Sequence, residues 1–131
     1  MREILFRGKR KDNGEWIYGS LVLCPEDVEV VTIVVFDEEK NGFICGKYVE
    51  VDLNTIGQYT GLNDKNGKKI FEGDVVKTSH YNGVIEWCDF DASFEVRCEG
   101  VIVTRNTLAG HVMLEVIGNI HDNPELLEVE K

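Results

Sequence analysis

Four cysteines (Cys24, Cys45, Cys88 and Cys98) and three histidines (His80, His111 and His121) are the residues here best suited to redox or metal chemistry. The cysteines stand 21, 43 and 10 residues apart, and none forms the Cys-x-x-Cys pair of a zinc or thiol–disulfide centre. His80, Cys88, Cys98 and His111 can be drawn as four ligands, but their spacing does not require them to converge. We expect reduced structural thiols, with Cys24 and Cys45 serving as small apolar side chains. No metal and no cofactor is expected.

Nucleophilic chemistry is equally poorly provided for. Ser20 follows Gly19 without the Gly-x-Ser-x-Gly elbow that lifts a serine out of a strand-to-helix turn. Asp74, Ser79 and His80 have the composition of a triad, but a triad is a geometry and not an inventory. Phosphate loops, dinucleotide glycine patterns and His-Glu-x-x-His are absent from the sequence. The acids Asp37, Glu38 and Glu39, and Asp89 with Asp91, flank turns, where they serve solubility. The expectation is a protein without catalysis.

Charge offers one further candidate. With 14 basic and 24 acidic residues the net charge is −10, which opposes the counterion release that drives nucleic-acid binding. The cations cluster in Arg7-Gly8-Lys9-Arg10-Lys11, close to Trp16 and Tyr18. Arg7, Lys9, Arg10, Lys11 and Trp16 are therefore the candidate nucleic-acid contacts, combining charge with an aromatic platform. The simpler reading is a solvated turn-flanking face. The acids, in turn, would suit an inhibitor that imitates DNA phosphates to a host DNA-binding protein, although they are interleaved with valines and form no long stripe.

The elements that must position these residues are strands. Val and Ile number 27 against 11 for Leu and Ala together, and β-branched side chains favour pleated sheets over helices. Four Asn-Gly pairs supply the positive φ of tight hairpins: Asn13-Gly14, Asn41-Gly42, Asn66-Gly67 and Asn82-Gly83. Three predict hairpins at 4–11/15–23, 28–36/43–51 and 75–81/84–90. Asn66-Gly67 sits in a polar stretch read as an exposed loop. Along 4–11, Ile4 and Phe6 share one face, and Arg7, Lys9 and Lys11 the other. The strand 28–36 is apolar on both faces, so it is expected to be central or to pair at a subunit interface. Further strands are read at 70–79, 84–88, 93–98, 101–106 and 111–120. A short helical turn follows, with Asp122 or Asn123 as its cap, Pro124 at its first position, and Leu126 and Leu127 docking on the barrel.

Three collinear blocks resemble a known family. The opening Arg2-Glu3-Ile4-Leu5-Phe6-Arg7-Gly8-Lys9-Arg10, running on to Gly14-Glu15-Trp16-Ile17-Tyr18-Gly19, is similar to the start of the YopX proteins of phages and prophages. The centre, Gly57-Gln58-Tyr59-Thr60-Gly61-Leu62, Asp64-Lys65-Asn66-Gly67-Lys68 and Phe71-Glu72-Gly73-Asp74-Val75-Val76, resembles that family's middle signature. The tail, Glu115-Val116-Ile117-Gly118-Asn119-Ile120-His121-Asp122-Asn123-Pro124-Glu125-Leu126-Leu127, resembles its closing segment. The resemblance implies a β-rich phage or prophage protein and assigns no catalytic residue.

The expectation is thus an all-β chain of two small barrel-like units, 1–61 and 62–131, the second SH3-like in pattern because Gly73-Asp74 leads into an apolar strand and a tight hairpin. It would be a single YopX-like domain acting through protein–protein contacts, self-associating as a homo-oligomer or meeting a phage or host protein. No apolar run approaches the roughly 18 residues of a membrane span, so a bacterial cytoplasmic location is expected.

Overall fold

The computed structural model describes residues 2–24, 26, 30–36, 46–78, 82–98, 104–107 and 114–127. The Asn41-Gly42 turn, Cys45, Ser79, His80, His111, the acids 37–39 and the strand segments 28–29, 101–103 and 111–113 lie outside the described residues. The fold is all-β and antiparallel, as the Val and Ile content predicts. It divides into two compact units, Met1–Tyr59 and Thr60–Lys131.

In the first unit, strands β1 (Phe6–Lys9), β2 (Trp16–Leu23), β3 (Val31–Phe36) and β4 (Gly46–Val51) form an antiparallel meander, and the start of β5 (Gly57–Asn63) pairs with β1. The order is β4-β3-β2-β1-β5. Val31, Ile33 and Val51 are fully buried, with Ile17, Leu21, Val35 and Ile56 packed around them. Each of the two-residue alternations thus delivers one face to the core. Strand β3 is central, with both edges paired, to β2 and to β4. The sheet does not close into the expected barrel. Among the described residues its far strand meets the end of β1 through an isolated bridge between Arg10 and Val51, in which the Lys11 amide donates to the Glu50 carbonyl at 3.2 Å and the Asp52 amide to the Lys9 carbonyl at 2.8 Å.

The second unit carries the end of β5, then β6 (Lys69–Phe71), β7 (Asp74–Lys77), β8 (Asn82–Cys88), β9 (Ser93–Cys98), β10 (Thr104–Thr107) and β11 (Glu115–Asn119). A five-stranded sheet has the order β10-β9-β8-β7-β11. Its core holds Ile70, Val76, Ile85, Val96, Cys98 and Leu114. Here too the result is an open sheet with two edges, not a closed barrel. The C-terminal turn, Pro124–Leu127, is a single 3-10 turn. It docks on strand β8 of this open sheet and not on a barrel: Asn82 Nδ2 donates to the Leu126 carbonyl at 2.8 Å. Its expected caps are used elsewhere. Asn123 Oδ1 accepts the Asn119 amide, and Asp122 Oδ2 accepts Asn119 Nδ2.

Turn chemistry departs from the two-residue pattern in instructive ways. Between β1 and β2 the Arg10 amide donates to the Glu15 carbonyl, enclosing a four-residue loop in which Gly14 alone has positive φ, +73°. Asn13 instead accepts the Glu15 amide through Oδ1 at 2.9 Å, an Asx turn. The polar stretch at Asn66-Gly67 is a hairpin after all, joining β5 to β6 with Gly67 at φ +82°. Asn82-Gly83 is not a turn: both residues belong to β8, opposite Lys77 and Val76. A Cβ on Gly83 would stand 2.6 Å from Val96 Cγ1 and 2.9 Å from Cys98 Sγ, so this glycine admits a close packing approach. The expected strand 70–79 breaks at Glu72-Gly73, where Asp74 Oδ2 accepts the Phe71 amide at 2.8 Å. The alternation read over 111–120 is interrupted by a bulge, since Val116 opposes Val76 and Gly118 opposes Val75.

Candidate interaction surfaces

Two exposed aromatic surfaces stand out, one in each unit. The first is the face of the β1–β4 sheet opposite the Val31–Ile33–Val51 core. Side chains directly across an antiparallel ladder share a face, so the register places Arg7 beside Tyr18 and Lys9 beside Trp16. The same rule puts Ser20 beside Val34, Val22 beside Thr32, and Val34 beside Tyr48. Tyr18 is 47% exposed, Tyr48 is 70% exposed, and Val22 is exposed between them in sequence. Single exposed apolar residues are ordinary, but three on one sheet face form a surface that contact with another molecule would cover.

The cations at the edge of this face sort into two groups. The Arg7 guanidinium carbon lies 4.8 Å and Lys9 Nζ 5.4 Å from the centre of the Trp16 ring, within cation–π range. Arg7 is only 6% exposed, contrary to its expected place on a solvated face, because the indole beside it covers the guanidinium. Arg10 is paired with Asp12 through two hydrogen bonds of 2.9 and 2.7 Å. These bonds and the accompanying charge attraction raise the Arg10 pKa and lower that of Asp12. Lys11 Nζ reaches Glu50 at 3.1 Å. Of the five candidate nucleic-acid contacts, Arg7, Lys9 and Trp16 therefore come together, while Arg10 and Lys11 are held by neighbouring acids.

The second surface is the β8–β9 hairpin tip. Trp87 and Phe94 are cross-strand partners in edge-to-face contact, with centroids 5.0 Å apart and planes at 73°. Beyond them the turn Asp89-Phe90-Asp91-Ala92 bears Phe90, which is 95% exposed. Ala92 has positive φ, 50°, an uncommon conformation for a residue with a Cβ. Both aspartates are exposed as well. The periodic reading missed Phe90 because one residue in a turn has no period; the signal was an aromatic side chain between two acids.

The thiols and acids of this hairpin meet only in part. Ligand atoms of Cys88, Asp91 and Glu95 lie within 4.8 Å of one another. Cys98 does not join them: it opposes Gly83 on the core face of the sheet, whereas Cys88 opposes Ser93 on the other face. The four-residue set drawn through Cys88 and Cys98 is thereby broken by the pleat. Asp74 is spent on the Phe71 amide, and the His121 amide donates to Asn119 Oδ1 in a turn. No helix among the described residues is long and apolar enough to cross a membrane.

No curated protein matches the chain. Among solved structures, the crystal structure of protein EF1440 from Enterococcus faecalis is similar, with a TM-score of 0.63 and 24% identity over 98% of this chain and 100% of that one. At this identity the likeness establishes the fold. A family model described as YopX protein matches residues 5–128, a span that takes in the opening block from Leu5 onward and the whole of the central and closing blocks. The chain belongs to the YopX family.

Proposed function

We propose that this is a non-catalytic protein of phage or prophage origin, working in the bacterial cytoplasm through protein–protein contacts that include self-association. One observation carries the reading: Tyr18, Val22 and Tyr48 are exposed together on a single sheet face. Aromatic side chains bury large areas at little entropic cost and are enriched where proteins meet. Size-exclusion chromatography with light scattering, run across a wide concentration range, tests it. Self-association should raise the mass with concentration, and a strict monomer throughout overturns that part. A small-molecule turnover abolished by one side-chain replacement would overturn the non-catalytic part.

A second reading, a nucleic-acid-associated accessory factor, draws on the placement of Arg7 and Lys9 over Trp16. A cation beside an aromatic platform suits a single strand, which offers phosphate and base stacking together. It predicts a gel shift with single-stranded oligonucleotide that fades with salt and weakens in Lys9→Gln and Trp16→Ala. No shift even at low salt removes it.

A further inference from the structure

The geometry points to a covalent modification site in the β1–β2 loop: Asn13 loses its side-chain nitrogen to become aspartate or isoaspartate, while Asn66 and Asn82, which also precede glycine, are protected. The reaction is an attack by a backbone nitrogen on the carboxamide before it. The Gly14 nitrogen gives up its proton and bonds to Asn13 Cγ, and the Cγ–Nδ2 bond breaks, so that Nδ2 leaves with that proton as ammonia. Water then opens the five-membered imide at either carbonyl. One opening leaves aspartate, and the other leaves isoaspartate, whose main chain runs through the side-chain carbonyl. The loop favours the first step in three ways. Glycine puts no side chain beside the attacking nitrogen, and a Cβ at Gly14 would meet nothing within 4 Å. Asn13 and its loop neighbours are exposed, so water reaches the carboxamide. The Glu15 amide donates to Asn13 Oδ1 at 2.9 Å. This Asx turn brings the carboxamide back along the Gly14 peptide and sets a donor on the oxygen that becomes negative when Cγ is attacked. The step must break the bond from the Gly14 amide to the Arg10 carbonyl, 2.9 Å, at the mouth of the loop.

The same dipeptide is locked at the other two positions. The Gly67 amide donates to the Asp64 carbonyl at 3.0 Å, and Asp64 Oδ1 holds the Asn66 and Lys68 amides on either side. That carboxylate is buried and tied to Val116, and a proton leaving Gly67 would add negative charge beside it. At Asn82 the carboxamide donates to the Leu126 carbonyl, both residues are paired within β8, and Gly83 packs on Val96 and Cys98. Either pair must open locally before it reacts, a cost the exposed loop at Asn13 does not carry.

The experiment incubates the full chain, folded, at mildly alkaline pH, digests it at low pH, and follows each peptide by mass spectrometry, with electron-transfer fragmentation separating isoaspartate from aspartate. Asn13 should convert about tenfold or more faster than Asn66 and Asn82, which need local opening first. In urea, where the turns are lost, the three rates should draw together. Glu15→Pro has no amide hydrogen to donate, so it should slow conversion at Asn13 and leave Asn66 unchanged, with thermal unfolding confirming that the variant is folded. If that variant does not fold, the ranking in wild type still decides. Conversion of Asn13 no faster than that of Asn66 in the folded protein overturns the proposal. A ranking that persists unchanged in urea overturns it too, because the preference then belongs to the local sequence and not to the fold. An undiminished rate in folded Glu15→Pro overturns the part assigned to the Glu15 amide.

Discussion

Asp64 Oδ2 accepts the Val116 amide at 3.0 Å, fastening the β5–β6 turn to the edge strand β11, 52 residues later. Oδ1 of the same carboxylate accepts the Asn66 and Lys68 amides at 2.8 and 2.9 Å. The Lys65 amide adds a bond to the Leu114 carbonyl. An exposed sheet edge invites pairing with other chains, and here the turn occupies part of that edge. One side chain both closes a hairpin and covers a strand.

Asp64→Ala should therefore cost about 3 kcal/mol in urea unfolding, because three amides lose a charged acceptor. Asp64→Asn, which keeps one acceptor oxygen, should cost less. Burial pushes the Asp64 carboxyl up, but the amides of Val116, Lys68 and Asn66 and the Lys68 charge outweigh it and hold the pKa below the ordinary value. A group with a depressed folded-state pKa stabilises above its unfolded value, about 4, and that contribution fades as pH falls through the folded one. Wild type should lose stability below about pH 4, and Asp64→Asn should lack that component. An identical acid limb in the variant would refute the assignment.

Gly83→Ala should destabilise the second unit by about 1–3 kcal/mol, since the new methyl would meet Val96 and Cys98 inside the core. Cys98 is the neighbour that can yield. Pairing Gly83→Ala with Cys98→Ala removes the sulfur the methyl would strike, so the double variant should be more stable than additivity allows. Urea unfolding of the four members of the cycle measures the coupling.

Glu86 directly opposes Glu95 across the β8–β9 ladder, an arrangement of like charges that costs stability unless compensated. Arg97 supplies compensation, donating from Nε to Glu86 Oε1 at 2.9 Å, with its NH2 group at 2.8 Å from the same oxygen. Arg97→Met should cost about 0.5–1 kcal/mol at low salt, and less at high salt, where the carboxylates are screened. Glu86→Gln in the Arg97→Met background should recover part of the loss. A loss independent of salt would point to packing of the arginine stem instead.

These cases show why the sequence could be read at some levels and not others. The excess of Val and Ile predicted strands because that preference belongs to each residue on its own. The β1–β2 hairpin was legible because its turn lies between alternating runs. Asn66-Gly67 was passed over because the surrounding lysines looked too polar for strands, although Asp64 organises the turn from within it. At Asn82-Gly83 the same dipeptide misled. The glycine is needed for contact with Val96 and Cys98, which only the register between β8 and β9 reveals. Closure was overestimated for a similar reason: hairpins follow from local sequence, but contacts between distant strands, such as the Arg10–Val51 bridge, do not. At the candidate surfaces, Lys9 and Trp16 were legible as a charged aromatic cluster. The burial of Arg7 and the shared face of Tyr18 and Tyr48 required the strand order.

Thr55 offers a final test within the first unit. Its buried hydroxyl accepts the Lys9 amide at 2.9 Å and donates to the Asp52 carbonyl at 2.7 Å, tying the 3-10 turn Leu53–Thr55 to β1. Valine matches threonine in shape but cannot accept, so Thr55→Val leaves the Lys9 amide to find another acceptor. The expected cost is about 1–3 kcal/mol, whereas Thr55→Ser, which keeps the hydroxyl, should lose less. Hydrogen exchange at the Lys9 amide gives a local readout, with faster exchange in the valine variant and near-native protection in the serine variant.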